Sequence, residues 1–556
     1  MEIPKPREPL RSLGPLHDRH SPIGFVPCNF SANISLFRAH PISCCLCRCG
    51  SSAADRMDSP LVAQLFKQLF LHRACQTRRQ SLLKLASSYQ PIRHHQHHQR
   101  QSRFYSDSRG PRNVVKNESN WQQRSDIFPA DMSEEYRKYP MVTAQDLRVR
   151  KDRPRRVKML MRDFIEDSLY NPNYGYFSKQ VVIFTPGEPF YFPGFKDELE
   201  FHSTLSKRYV EFEDALDAKS PSDTRQLWYT PTELFRPYYG EAIARYLVAN
   251  YKLTTYPYHD LIIYEMGAGR GTLMRNILDY IRDTEPAVYA RTKYKIIEIS
   301  SQLATIQTAQ VAGDSHADKV EIINKSIFDW SDPVPSPCFF LAFEVFDNFA
   351  HDIIRYNLET EEPLQGTVLI DEDGNFFEFY QPLLDPVADR FLRVRHRATN
   401  GRYALPYPSS KLARWVQQAM PFAPNLSKPE YIPTRLMQFF GVLEKFFPAH
   451  RLLTSDFHSL PDAIKGLNAP IVQTRYQRQP VPVSTPLVHQ GYFDIMFPTD
   501  FRITEAMYQA ITGKLTRVLS HEDFMQRWAD IEETETQSGE NPLLSWYKNA
   551  SVLYTV

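Results

Sequence analysis

The apolar positions of this chain fall into short runs separated by helical stretches, and Leu261-Ile-Ile-Tyr-Glu-Met266 is the sharpest of these runs. Nearly continuous apolar character over so short a stretch predicts a strand buried on both faces, as in a parallel sheet. Gly267-Ala268-Gly269-Arg270-Gly271 follows without a gap, and residues 272–282 then carry apolar side chains at helical spacing. Similar runs at 294–298, 320–323, 339–343 and 451–455 predict the second to fifth strands, with 492–497 and 552–556 expected to supply the last two. Strands alternating with helices imply an α/β fold, doubly wound and Rossmann-like, around a mostly parallel seven-stranded sheet.

Upstream, 157–169 has helical periodicity and stops at the turn chemistry of Asn171-Pro-Asn-Tyr-Gly-Tyr176. Residues 178–226 are mixed in character and read as an insertion. Residues 231–250 read as a helix with Leu234, Ile243 and Leu247 on its buried side. Downstream, 383–445 is rich in Arg, Pro and aromatic residues, breaks the strand–helix rhythm, and reads as an inserted cap. The chain therefore divides into an extension at 1–105, a polar linker at 106–135, an N-terminal helical region with an insertion at 136–260, and the α/β domain at 261–556.

Charge changes the reading of the extension. Residues 1–105 hold 15 Lys and Arg against 5 Asp and Glu in a chain whose net charge is only +2. The remainder is acidic, so the positive charge lies outside the fold and does not form a nucleic-acid footprint. Residues 59–106 contain no acid at all, while 61–71 is amphipathic with Lys67 inside it, and Arg103-Phe-Tyr-Ser106 resembles a matrix-protease site. That composition predicts a mitochondrial presequence and a matrix destination. Met57 opens the segment, so 1–56 read as an upstream extension.

No apolar run reaches the roughly 18–20 residues needed to cross a bilayer. Cys44, Cys45, Cys47 and Cys49 lack the spacers of a zinc pair, and His94, His95, His97 and His98 share the leader's composition, so no metal site is expected. Beyond Cys75 the body has only Cys338, which suits a reducing compartment.

The chemistry gathers at the strand ends. A strand, a glycine turn and a helix present backbone N–H groups to a nucleotide, and Gly267 and Gly269 tolerate positive φ. Gly271 lets the helix start approach a ligand. A dinucleotide fingerprint needs glycine where this chain has Thr272. Glu298, ending the second strand, can accept both ribose hydroxyls of a nucleoside. Asp329, after the third strand, is placed either to meet an adenine amino group or to lie on the surface at a helix start.

Glu265-x-Gly267-x-Gly269-x-Gly271, with Ala268 inside it, resembles motif I of class I methyltransferases, which bind S-adenosyl-L-methionine. Thr230-Pro-Thr-Glu-Leu234 with Gly240, Glu298-Ile-Ser300 with Gln307, Glu344-Val-Phe-Asp347 with His351, Asp456, and Gly491-Tyr-Phe-Asp494 extend the likeness, in order, over roughly 157–505. Together they resemble the MidA-like methyltransferases.

The resemblance implies a class I methyltransferase domain with S-adenosyl-L-methionine as cofactor. It further implies a mitochondrial protein arginine methyltransferase that supports assembly of respiratory complex I, with symmetric dimethylation and a protein substrate, a matrix-arm subunit among the candidates. Phe343, Ala350, Ser301 and Ala304 depart from the family pattern, and the cofactor half is kept better than the substrate half. Because a guanidinium is protonated in water, its nitrogen needs carboxylates to orient it and a group to take its proton. Glu344 is expected as the guanidinium clamp, Asp347 as its assistant and His351 as a proton acceptor or a structural histidine. Two other readings stay open: an assembly factor that binds the cofactor without turnover, and a methyltransferase for a small molecule.

Overall fold

The computed structural model describes residues 121–122 and 130–556, apart from 180, 314, 419–424, 462 and 464–467. The basic leader, its cysteine and histidine clusters and most of the linker lie outside the described residues. Seven strands form the central sheet: β1 (Leu261–Met266), β2 (Thr292–Ile297), β3 (Val320–Ile323), β4 (Cys338–Phe343), β5 (His450–Phe457), β6 (Thr516–Ser520) and β7 (Ala550–Thr555). Their order across the sheet is β6-β7-β5-β4-β1-β2-β3. The pairs from β5 through β3 are parallel, and β7 runs antiparallel to both β5 and β6.

Helices cover both faces, which explains the lack of polar alternation in the central strands. On one side α1 (Tyr238–Thr254) and α2 (Thr272–Thr284) pack Ile243, Leu247, Ile277 and Ile281 against Ile263, Leu341 and Leu453. On the other, Tyr264, Phe340 and Leu452 meet Phe439, Phe440 and Leu443 from the helix Thr434–Phe446.

Several elements differ from expectation. The run at 492–497 yields only the strand Asp494–Met496, which joins a separate three-stranded sheet with Ile471–Tyr476 and Gln479–Val483. β6 takes its expected place. With two apolar residues in five, β6 is an edge strand paired on one side only, so its apolar signal is weak. Val157–Leu160 is a strand, paired antiparallel with Pro363–Ile370, and its helix starts only at Met161. A short apolar run cannot declare its period, and here the partner lies some 200 residues away. The helix expected at 231–250 is broken into Pro231–Leu234 and α1. Inside 178–226 runs a 22-residue helix, Glu198–Lys219, whose buried residues number only Phe201, Leu205 and Glu213.

Between β4 and β5 the chain builds a second, antiparallel sheet from Asp352–Tyr356, Pro363–Ile370, Phe376–Gln381 and Glu430–Ile432. The segment expected as a cap, 383–445, is thus part of a longer excursion that begins directly after β4. Among the described residues no helix is long and apolar enough to cross a membrane.

Candidate active site

All three loop glycines adopt the left-handed backbone that side chains resist: φ is +75° at Gly267, +54° at Gly269 and +81° at Gly271. Gly271 is the N-cap of α2, so the turn from β1 into the helix depends on these positions. Packing closes around the loop. A Cβ added to Gly267 would lie 3.1 Å from Val345 Cγ2, and one on Gly269 would lie 2.9 Å from Ile183 Cδ1. The first contact matters most, because Val345 follows Glu344: the glycine loop and the acidic loop after β4 touch.

Glu265 and Glu298 stand at the ends of neighbouring strands, both almost fully buried. Burial pushes Glu265 up to about 7, although the Tyr294 hydroxyl donates to it at 2.8 Å and favours its ionised form. Burial also raises Glu298, while donors hold it back: the Ser300 N–H at 2.8 Å and the Gln307 amide at 3.2 Å. Gln307 lies on the helix α3 (Ser301–Ala312), and the same amide nitrogen donates to the Gly269 carbonyl at 2.8 Å. One side chain therefore ties the glycine loop to the expected ribose carboxylate.

A carboxylate has about four acceptor sites, so Glu298 keeps acceptor capacity for a hydroxyl beyond its bonds to Ser300, Ile299 and Gln307. A cleft of about 230 Å³ opens beside the loop, lined among others by Glu233, Arg236, Arg270 and Thr272. Its mixed charge suits a zwitterionic amino-acid group.

The acidic loop begins with a backbone outlier. Glu344, partly exposed, has φ +53°. A non-glycine residue held there costs of order 1–3 kcal/mol, and such strain concentrates at functional positions. What holds it is visible. The Glu344 N–H donates to the Ser455 carbonyl at 2.9 Å. Asp456 Oδ2 then accepts the N–H groups of Val345, Phe346 and Asp347 at 3.2, 2.7 and 3.4 Å. Asn348 donates to Asp494 at 2.9 Å, and the Phe497 N–H donates to the Asp347 carbonyl at 2.8 Å.

These contacts crowd four carboxylates together. Burial raises Glu344 to about 8, with Asp456 pushing the same way. It raises Asp494 to about 7 and Asp456 to about 6, each eased by backbone donors. Asp347 rises well above the carboxylate range through burial and then through Asp456, Asp494 and Glu344. Among the described residues, none of the four is in an ion pair with Lys or Arg. Carboxylates placed this way would be favoured in their ionised forms by a cationic group brought beside them.

Unsatisfied buried atoms point the same way. Gln307 Oε1, Asp347 Oδ1 and the Tyr547 hydroxyl lack hydrogen-bond partners, as do Arg236 Nε and Asn276 Oδ1 beside the cleft. Buried polar atoms are nearly always paired. Among the described residues, these are groups with which a polar ligand could pair.

The structure thus gathers Gly267, Ala268, Gly269, Gly271, Glu265 and Glu298 on one side, and Glu344 with Asp347 on the other. Asp329 is placed differently: its carboxylate is half exposed and salt-bridged to Arg148 at 3.1 Å, at the end of a short 3-10 turn. That arrangement matches the surface alternative at least as well as contact with an adenine. His351 is buried, stacked at 3.7 Å on Phe497, with Nδ1 2.7 Å from the Phe349 carbonyl. Burial lowers it to about 3. It is neutral at physiological pH and a weak base. Asp456 and Asp494 acquire a structural meaning that spacing alone does not supply, since they meet Asp347 from more than 100 residues away.

A family model for S-adenosyl-L-methionine-dependent methyltransferases matches residues 242–519. A Schizosaccharomyces pombe protein named "Protein arginine methyltransferase NDUFAF7 homolog, mitochondrial" is 25% identical over 391 residues, spanning 67% of this chain and 80% of the relative. The Saccharomyces cerevisiae protein of the same name is 23% identical over 343 residues, spanning 57% and 77%. Among solved structures, a Burkholderia thailandensis protein bound to S-adenosyl-homocysteine covers 72% of this chain and 88% of its own, at 14% identity and a TM-score of 0.46.

Proposed function

The chain belongs to the family of S-adenosyl-L-methionine-dependent methyltransferases, and from that premise we propose that its acceptor is an arginine guanidinium in a protein substrate. The observation that carries this reading is the set of four crowded carboxylates, Glu344, Asp347, Asp456 and Asp494, with no Lys or Arg partner among the described residues. A guanidinium supplies the missing positive charge and planar N–H donors that match carboxylates. The names of the fungal relatives support arginine methylation and a mitochondrial location.

The roles follow from the geometry. The glycine loop and Glu298 hold the cofactor, with Gln307 fixing both and Asp329 reaching the adenine if Arg148 releases it. The cofactor supplies an electrophilic methyl group on a sulfonium. Glu344 clamps the guanidinium, Asp347 assists, and one ionised carboxylate takes the proton that leaves the nitrogen as the N–C bond forms. Glu344 suits that task at about 8, whereas His351 at about 3 does not, so His351 acts as a packing residue. In its finer form the proposal follows the MidA-like resemblance: symmetric dimethylation, in the matrix, of a subunit of respiratory complex I.

The test is labelled methyl transfer from S-adenosyl-L-methionine by the purified protein into mitochondrial extract lacking it, followed by amino-acid analysis. Label in methylated arginine is the expected result. Cofactor binding without label in protein would instead favour an assembly factor, and label confined to protein-free extract a small-molecule enzyme.

The acidic cluster also sets a pH dependence. The folded values of Asp456, Asp494 and Glu344 lie above those of ordinary carboxyls. The stability their neutral forms contribute is complete below the unfolded values and is lost as pH rises through about 6 to about 8. Substrate binding needs the ionised forms, so kcat/KM should rise across the same interval while the thermal midpoint of the ligand-free protein falls. Opposite trends in one titration are the signature. A flat rate profile would remove the carboxylates from the step.

A further inference from the structure

One buried group near Glu344 has no role in the scheme above. Tyr547 sits between the helix Pro542–Ser545 and β7, with 6% of its surface exposed. Its ring is wedged among Phe235 and Phe457, each with centroids at 6.3 Å, and His521 at 5.8 Å. The ring is therefore well anchored. Its hydroxyl is the only tyrosine hydroxyl among the described residues that is buried without a hydrogen-bond partner. By contrast, nearby Tyr239 bonds Ser455, and Tyr294 bonds Glu265.

Leaving a buried hydroxyl unpaired is costly, and packing does not require it, because phenylalanine would fill the same space. Burial acts most strongly on this hydroxyl, and Glu344 pushes the same way. Tyr547 and Tyr239 both pack on His521, and Tyr239 bonds Ser455, whose carbonyl accepts the Glu344 N–H, so the hydroxyl and Glu344 share one neighbourhood with no hydrogen bond between them. An unpaired hydroxyl in the neighbourhood of a carboxylate fits a group carrying several N–H donors. The neighbouring rings of Tyr239 and Phe343, 6.2 Å apart, add aromatic faces of the sort that attract a guanidinium.

We infer that Tyr547 is a substrate-contacting residue whose hydroxyl oxygen accepts an N–H of the acceptor guanidinium opposite Glu344. The inference rests on the arginine reading above and deepens it, by giving the site a neutral acceptor beside its charged ones. Glu344 neutralises the cation, and Tyr547 fixes which edge of the guanidinium plane faces the clamp.

The variant Tyr547→Phe tests this in the full chain, because it keeps the ring and its packing. Three readouts are expected together. The thermal midpoint of the ligand-free protein stays the same or rises, since an unpaired group is removed. Affinity for S-adenosyl-L-methionine stays within about twofold. Transfer to a protein arginine falls at least about tenfold in kcat/KM, the scale of a hydrogen bond to a charged partner. A lowered midpoint would reveal a structural hydroxyl, and an unchanged kcat/KM would remove it from the substrate; either overturns the inference.

Binding of N-acetyl-arginine amide to the protein saturated with S-adenosyl-homocysteine separates this inference from the arginine reading itself. If the wild type does not bind the probe, both fail. If it binds and Tyr547→Phe binds at least about tenfold more weakly, the contact stands even where the turnover assay finds no label. Equal binding by the two proteins overturns the contact alone.

Discussion

Glu344→Gln should lower kcat/KM for arginine methylation by about 10²–10³-fold while leaving cofactor affinity within about twofold. The size follows from two losses at once. The amide cannot neutralise the guanidinium, and it cannot take the proton that leaves the nitrogen. The selectivity follows from position: Glu344 stands after β4, whereas Gly267 through Gly271 and Glu298 follow β1 and β2. Val345 touches the glycine loop, but the Val345 contact belongs to the backbone course, which glutamine preserves. Titration calorimetry with S-adenosyl-homocysteine and labelled transfer under saturating cofactor would separate the two effects. Normal transfer would show that the clamp lies elsewhere.

The companion variant Glu344→Gly makes the point sharper, because it should be as inactive and no less stable. Glycine relieves left-handed strain of about 1–3 kcal/mol and removes a carboxyl that burial, with Asp456 beside it, raises to about 8. Against that stands the extra backbone freedom of glycine in the unfolded chain, about 0.5–1 kcal/mol. The balance favours a thermal midpoint equal to or above wild type. A residue whose loss ends activity and preserves or improves stability is held where it is for function.

Much of the cofactor side was legible in the sequence, for a physical reason. Leu261–Met266 is buried on both faces and so needs no alternation, and a glycine turn between strand and helix leaves its mark within five residues. Glu298 could be placed from the end of one strand. The substrate side depends on contacts that spacing cannot express. Asp456 gathers three N–H groups from a loop more than 100 residues earlier, and Asp494 reaches Asn348 from a different sheet. Resemblance singled out both aspartates, but only the fold explains their presence: they hold the loop of Glu344 and Asp347 in place, and both raise the proton affinity of Asp347. The positive φ at Glu344 has no sequence signature, and the unpaired hydroxyl of Tyr547 depends on contacts with β5 and β6's following helix, far off in the chain.

Gly269→Val should abolish cofactor binding at any practical concentration, a loss of about 10²-fold or more in affinity, while the protein remains folded. Direct crowding is only part of the argument, because the nearest atom to an added Cβ is Ile183 Cδ1 at 2.9 Å, the free end of a side chain that can turn aside. The backbone is the stronger constraint. A β-branched residue at φ +54° is a true outlier, so valine would swing the peptide toward negative φ. That swing carries away the Gly269 carbonyl, which accepts from Gln307 at 2.8 Å. Gln307 also donates to Glu298, so disturbing the loop should disturb the ribose carboxylate on the next strand. Coupling of this kind can be measured. Gln307→Met should weaken cofactor binding on its own, and adding it to Gly269→Ala should cost less than the sum of the two single losses. Strict additivity would mean that the loop and Glu298 hold the cofactor independently, and that Gln307 joins them only in space.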